Sequence, residues 1–156
     1  MFELYSYTDM IAKTEEFYSK LNIKINDIKL AVASLTMTEF AKNYNDVNSV
    51  KIDNQDALAT VGDSICGSYV MIKEYGPFAT MEYLTNKKDI VTNNNLKIVG
   101  KKLLEGYLFH ANNDLKEGNK KDYATAFEAI IGFIALNNPN DIKPLLDKYL
   151  KTSDFY

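Results

Sequence analysis

Between Ala57 and Ile72 the chain carries a single charged residue, Asp63, set in a run of small and apolar side chains. Gly62, Ser64, Gly67 and Ser68 flank it, so another backbone can approach closely. A lone carboxylate in such a setting costs free energy unless something neutralises it or hydrogen-bonds it. The stretch predicts a core helix from about Asn54 to Tyr75, stopped by Gly76-Pro77. The acid on that helix requires a partner.

A second stretch has the same design. Ala124–Leu136 reads ATAFEAIIGFIAL, with one charge, Glu128, and a glycine, Gly132, four residues later. Helices this apolar belong in the core, and packing through Gly62 and Gly132 would bring Asp63 and Glu128 to one rim. Two carboxylates brought together repel, so one takes up a proton or a cation lies between them. Magnesium suits the second case, because it accepts one or two carboxylates and keeps waters and phosphate oxygens in its remaining positions. Periodicity alone leaves a simpler reading open, in which each acid is partly exposed and bonded to a neighbouring cap or lysine.

The rest of the chain reads as helices. Thr8–Leu21 is amphipathic, with Thr8 or Asp9 as its cap, and a second helix opens at Asn26-Asp27 and carries Ile28, Ala31, Val32, Leu35 and Phe40. Asn43–Asp53 is polar and aperiodic, hence a loop. Pro77 opens a short helix with Phe78, Met81, Tyr83 and Leu84. Asn93–Asn95 caps another with Leu96, Val99, Leu103 and Leu104, ending near Gly106. Asn112–Lys121 is a polar segment with a turn at Gly118. Asp122 opens the Glu128 helix, Asn137–Asn140 breaks it, and a last helix carries Ile142, Leu145, Leu146 and Tyr149. No stretch alternates with period two. The expectation is one all-α domain over residues 1–156, with about seven helices.

Composition excludes some classes and weakens others. No apolar run reaches the roughly 18–20 residues of a membrane span, and the N-terminus (MFELYSYTDM) lacks a signal-peptide pattern. One cysteine, Cys66, fits a reducing compartment, so a cytoplasmic location is expected. The net charge of −3 does not favour nucleic acid overall, and all 18 basic residues are lysines. Phosphate contacts must then come from point-charge lysines, helix N-termini or polar side chains rather than bidentate guanidinium groups. Lys87, Lys88, Lys120 and Lys121 are the candidates, with Lys101-Lys102 a further pair. The single histidine, His110, rules out a two-histidine ribonuclease mechanism and reads as a surface residue. Cys66 reads as core.

Four blocks in order resemble one family. LATVGDSI (Leu58–Ile65) resembles the ribonuclease III signature LEFLGDAV, and ATAFEAIIGFI (Ala124–Ile134) resembles its second motif, ADxFEALIGAI. Upstream, INDIKLAVASLT (Ile25–Thr36) is similar to the opening FkDkeLLxxALTH pattern, with Met37 where the histidine stands. VTNNNLKIVGKKL (Val91–Leu103) is similar to VSNxxLAxIAxxL. The likeness spans about Leu21–Leu136 and implies the all-α endonuclease fold. It also implies cleavage of double-stranded RNA, a magnesium or manganese cofactor, and a homodimer with one site per subunit.

The usual site has four acids in two pairs, each pair one helical turn apart. Ala59 stands at one of these positions and Thr125 at another. That pattern resembles Mini-ribonuclease III, with its ALAYIGDA and its Thr or Ser before AFEA, yet the N-terminal helices resemble those of the standard enzyme. The branch stays open. The resemblance implies Asp63 and Glu128 as metal-holding catalytic residues, with Asp56 and Thr125 as accessory candidates. Asp56 lies seven residues before Asp63, roughly on the same face and about 10 Å along the axis. The chain ends about 20 residues past the second motif, without the usual double-stranded-RNA-binding domain, so affinity is expected to be weak and salt-sensitive. Ribosomal RNA processing is one role the resemblance implies, with messenger or foreign RNA also open. The alternative is a catalytically inactive dimeric scaffold that binds RNA or a ribonucleoprotein; an unrelated helical interaction module is a third.

Overall fold

The computed structural model describes residues 5–90, 95–115 and 122–150. Eight α-helices run through them: α1 (Tyr7–Lys20), α2 (Ile28–Ser34), α3 (Thr38–Val47), α4 (Asp56–Glu74), α5 (Met81–Ile90), α6 (Leu96–Leu104), α7 (Tyr123–Asn137) and α8 (Ile142–Tyr149). A 3-10 turn, Pro139–Asp141, leads into α8. The only β pairing among the described residues is an isolated bridge between Thr36 and Phe109. The fold is all-α, as expected, and none of these helices is long and apolar enough to cross a membrane.

α7 is the axis of the packing. Ala126, Phe127 and Ala129–Ile134 are all buried, so it is apolar nearly all round and needs neighbours on every side. α4 crosses it on one flank, α6 on another, and α2 packs beside them. Asp122 starts it, accepting the Ala124 N–H on Oδ1 at 2.9 Å. At its C-terminal end Asn137 accepts the Asn26 N–H at 2.8 Å and donates to the Lys24 carbonyl at 2.7 Å. These two bonds fasten the end of the core helix to the loop before α2.

Two expected boundaries are corrected. The helix opened by Asp27 ends at Ser34, and Phe40 belongs to a separate helix, α3, which continues to Val47. Asn43–Val47 is therefore helical rather than loop. The break between α2 and α3 is held by backbone pairing: Met37 donates to the Phe109 carbonyl, Phe109 to Leu35, and Gln55 to Thr36. α3 buries Phe40, Ala41 and Tyr44. Its first turn is capped from a distance by Asp114, which accepts the N–H groups of Glu39 (3.0 Å), Phe40 (3.1 Å) and Ala111 (2.8 Å).

Smaller differences have local causes. α1 is capped by Ser6, whose hydroxyl accepts the Asp9 N–H, not by Thr8 or Asp9. α5 begins at Met81, so Phe78 precedes it. Gly106 sits just past α6 with φ +88°, the left-handed ending that glycine permits at no steric cost. The expected turn at Gly118 and cap residues Asn93 and Asn94 lie outside the described residues.

Candidate active site

The α4–α7 crossing is built on two glycines. A Cβ at Gly62 would stand 1.7 Å from the Glu128 carbonyl oxygen, and one at Gly132 would stand 2.0 Å from that of Leu58. Neither position has room for a side chain, so the two backbones lie in direct contact. The helices meet where the sequence places Asp63 and Glu128, one residue from Gly62 on α4 and four before Gly132 on α7.

Asp63 and Glu128 converge at that crossing. Asp63 is exposed and Glu128 half-buried. Burial, a hydrogen bond that protonated Glu128 donates to the Asp63 carboxylate, the Asp63 charge and the Asp122 charge together push the Glu128 carboxyl up to about 8. Without a cation Glu128 therefore holds a proton near neutral pH, where an ordinary glutamate has lost it. Cys66, one turn further along α4, is fully buried. Burial and the same two acids hold its thiol well above the ordinary range, which keeps it an inert core residue.

Among the described residues no group of three or more His, Cys, Asp or Glu side chains could hold a metal. Two carboxylates at a solvent-facing rim are oxygen donors that could hold a hard divalent cation, magnesium or manganese, with water in its remaining positions.

The family model of the ribonuclease III domain matches residues 56–139, more than half of the chain and the whole span from α4 through α7. The chain belongs to the ribonuclease III domain family. No curated protein matches it.

Both acids lie inside the matched ribonuclease III domain, and the other expected site residues distribute around them unevenly. Thr125 is half-buried on α7, one turn before Glu128, and Ala59 is buried one turn before Asp63. Asp56 is the first residue of α4, and its carboxylate accepts the Thr38 hydroxyl at 3.1 Å on each oxygen. That bond links the starts of α4 and α3. Both Lys87 and Lys88 are half-buried; Lys87 holds its ammonium 5.5 Å from the Tyr83 ring centroid, and Lys88 lays its stem against Gly67 of α4. Lys120 and Lys121 lie outside the described residues. His110 is exposed, as expected.

Asp122 is the acid that sequence reasoning treated only as a helix cap. Its charge reaches Glu128, while its Oδ2 pairs with Lys97 at 3.3 Å. The signal was its place at the start of the Glu128 helix, where a capping carboxylate necessarily lies within two turns of that residue.

Proposed function

We propose that the protein is a magnesium-dependent endoribonuclease that hydrolyses double-stranded RNA, with manganese as a competent substitute. The observation that carries this reading is the meeting of Asp63 and Glu128 at a glycine-to-glycine helix crossing inside a ribonuclease III domain. Asp63 and Glu128 would hold the ion. A divalent ion bound there supplies positive charge to the phosphate and a nucleophilic water near neutral pH. The exposure of Asp63 leaves the rim open to a strand of RNA, while the burial behind Glu128 keeps that carboxylate in a fixed orientation. Thr125, one turn from Glu128, would orient a water or a phosphate oxygen, and Asp56 would act by fixing the start of α4.

The same reading includes a homodimer. Ile72, Tyr75, Phe78 and Met81 are all exposed at the end of α4 and the start of α5. Beside them is a cavity of about 320 Å³ lined by Glu74, Gly76, Pro77, Phe78, Ala79 and Tyr83. A projecting aromatic next to a recess on one surface is what a self-complementary two-fold interface uses, and apolar surface of this kind is otherwise a liability. Two sites related by a two-fold axis would cut both strands of a duplex.

The test is cleavage of a perfectly paired RNA in magnesium by the wild type, Asp63→Asn and Glu128→Gln. The wild type is expected to cut and each variant to lose about a thousandfold or more in kcat. Cleavage by both variants at the wild-type rate would overturn the assignment of the site. Binding of the duplex without cleavage by the wild type would instead favour the scaffold reading, which draws its support from Ala59 and Thr125 at the two non-acidic positions.

A further inference from the structure

Gly67 lies one turn beyond Asp63 on the same side of α4, and what fills the space above it is a lysine. A Cβ at position 67 would stand 3.1 Å from Cδ of Lys88, 3.5 Å from Cγ and 3.9 Å from Cε. The missing side chain is therefore the seat in which the Lys88 stem lies. Residues four apart on a helix are neighbours about 5–6 Å apart at Cβ. The Lys88 stem therefore crosses α4 at a position one turn from Asp63, with its ammonium one bond beyond Cε.

Lys87 is turned elsewhere. Its ammonium lies over Tyr83, whose hydroxyl donates to Glu74 Oε2 at 2.9 Å. Glu74 is the last residue of α4, eleven residues and about 16 Å from Asp63 along the axis. The two adjacent lysines of α5 thus lie at different places along α4, Lys87 over the Tyr83 that bonds its last residue and Lys88 at Gly67, one turn from Asp63.

We propose that Lys88 is a phosphate-positioning residue, its stem seated on Gly67 so that its ammonium takes a non-bridging phosphate oxygen of the strand lying at Asp63 and Glu128. This rests on the nuclease reading of that site. The chain has no arginine, so a permanently charged phosphate contact here has to be a lysine. A free lysine loses rotamer freedom when it binds, whereas a stem already packed against a helix has lost most of it on folding. The contact of the Lys88 stem with Gly67 is what such preorganisation requires.

The experiment compares wild type with Lys88→Met, Lys88→Arg and Lys87→Gln, measuring kcat, KM, melting temperature and the salt dependence of duplex RNA binding. Methionine keeps the apolar stem in its seat and removes only the charge. Lys88→Met is expected to melt with the wild type, to lose about tenfold in kcat/KM, and to flatten the log–log salt slope by about one unit. Lys88→Arg should recover a large part of that loss, and Lys87→Gln should cost less than about threefold. Cleavage by Lys88→Met within about twofold of the wild type, or a loss and salt slope equal to those of Lys87→Gln, overturns the proposal. If the wild type itself cuts no duplex, the nuclease reading fails separately. The binding arm then decides Lys88: an unchanged affinity and salt slope in Lys88→Met would dismiss it.

Discussion

At position 62 a single methyl group decides whether the site exists. Its Cβ would stand 1.7 Å from the Glu128 carbonyl oxygen, against backbone that cannot swing aside. Overpacking of a core by a flexible side chain costs about 1–3 kcal/mol, and a backbone clash at a helix crossing exceeds that. Gly62→Ala and Gly132→Ala should each destabilise the protein by about 3 kcal/mol or more in urea denaturation. Gly76→Ala, with nothing within 4 Å of its added Cβ, should change stability by less than about 1 kcal/mol.

The proton on Glu128 gives a second residue-level prediction. Its carboxyl rises from the ordinary 4.5 to about 8 on folding, so the folded chain binds more protons than the unfolded one between those values. Stability should therefore fall as pH rises across that window in the absence of divalent ions, with the full penalty above about pH 8 and none below about pH 4.5. Glu128→Gln should flatten the curve. A wild-type melting temperature in EDTA that is level from about pH 5 to pH 8 would contradict the crowding of the two acids. How much of this was legible in sequence differs by residue. Asp63 and Glu128 were visible as lone charges on apolar helices, and Gly62 and Gly132 as the means of contact. That positions 65 apart converge came from family resemblance. The seat of Lys88 on Gly67 had no sequence signal, because a glycine records only that something is missing.

Among the elements, α4 and α7 were readable end to end, since long apolar runs and strong stop or cap residues agree with their packing. α3 was not. Its Asn43, Asn45 and Asp46 look like loop, and its apolar residues Phe40, Ala41 and Tyr44 cover only one narrow face. What stabilises its start comes from Asp114, more than seventy residues away, through two backbone N–H groups at 3.0 and 3.1 Å. A third bond, from Ala111, holds the same carboxylate in its own turn. No local pattern can reveal a cap supplied from that distance. Asp114 is 5% exposed, so Asp114→Ala leaves buried donors unpaired and should cost about 2–4 kcal/mol. Chemical denaturation measures this directly, and amide exchange should accelerate first in α3 if the cap is what holds it.

For the whole molecule, the apolar surface at the junction of α4 and α5 is the feature that a lone copy leaves unexplained. Phe78 is 96% exposed and Met81 84%. Phe78→Glu or Met81→Glu should convert a dimer to a monomer in light scattering while leaving the helical circular dichroism unchanged, because neither side chain supports the core. A wild type that stays monomeric at all concentrations would remove the two-fold arrangement from the proposed mechanism.

The most direct test of the central claim is a double-mutant cycle on RNA cleavage in magnesium, with Asp63→Asn, Glu128→Gln and the two combined. Residues that hold one ion act as a unit, so each single variant should lose about a thousandfold or more and the double variant should lose no more than the worse single one. Losses that are small and simply multiply, or full activity in either single variant, would show that Asp63 and Glu128 do not form one catalytic pair.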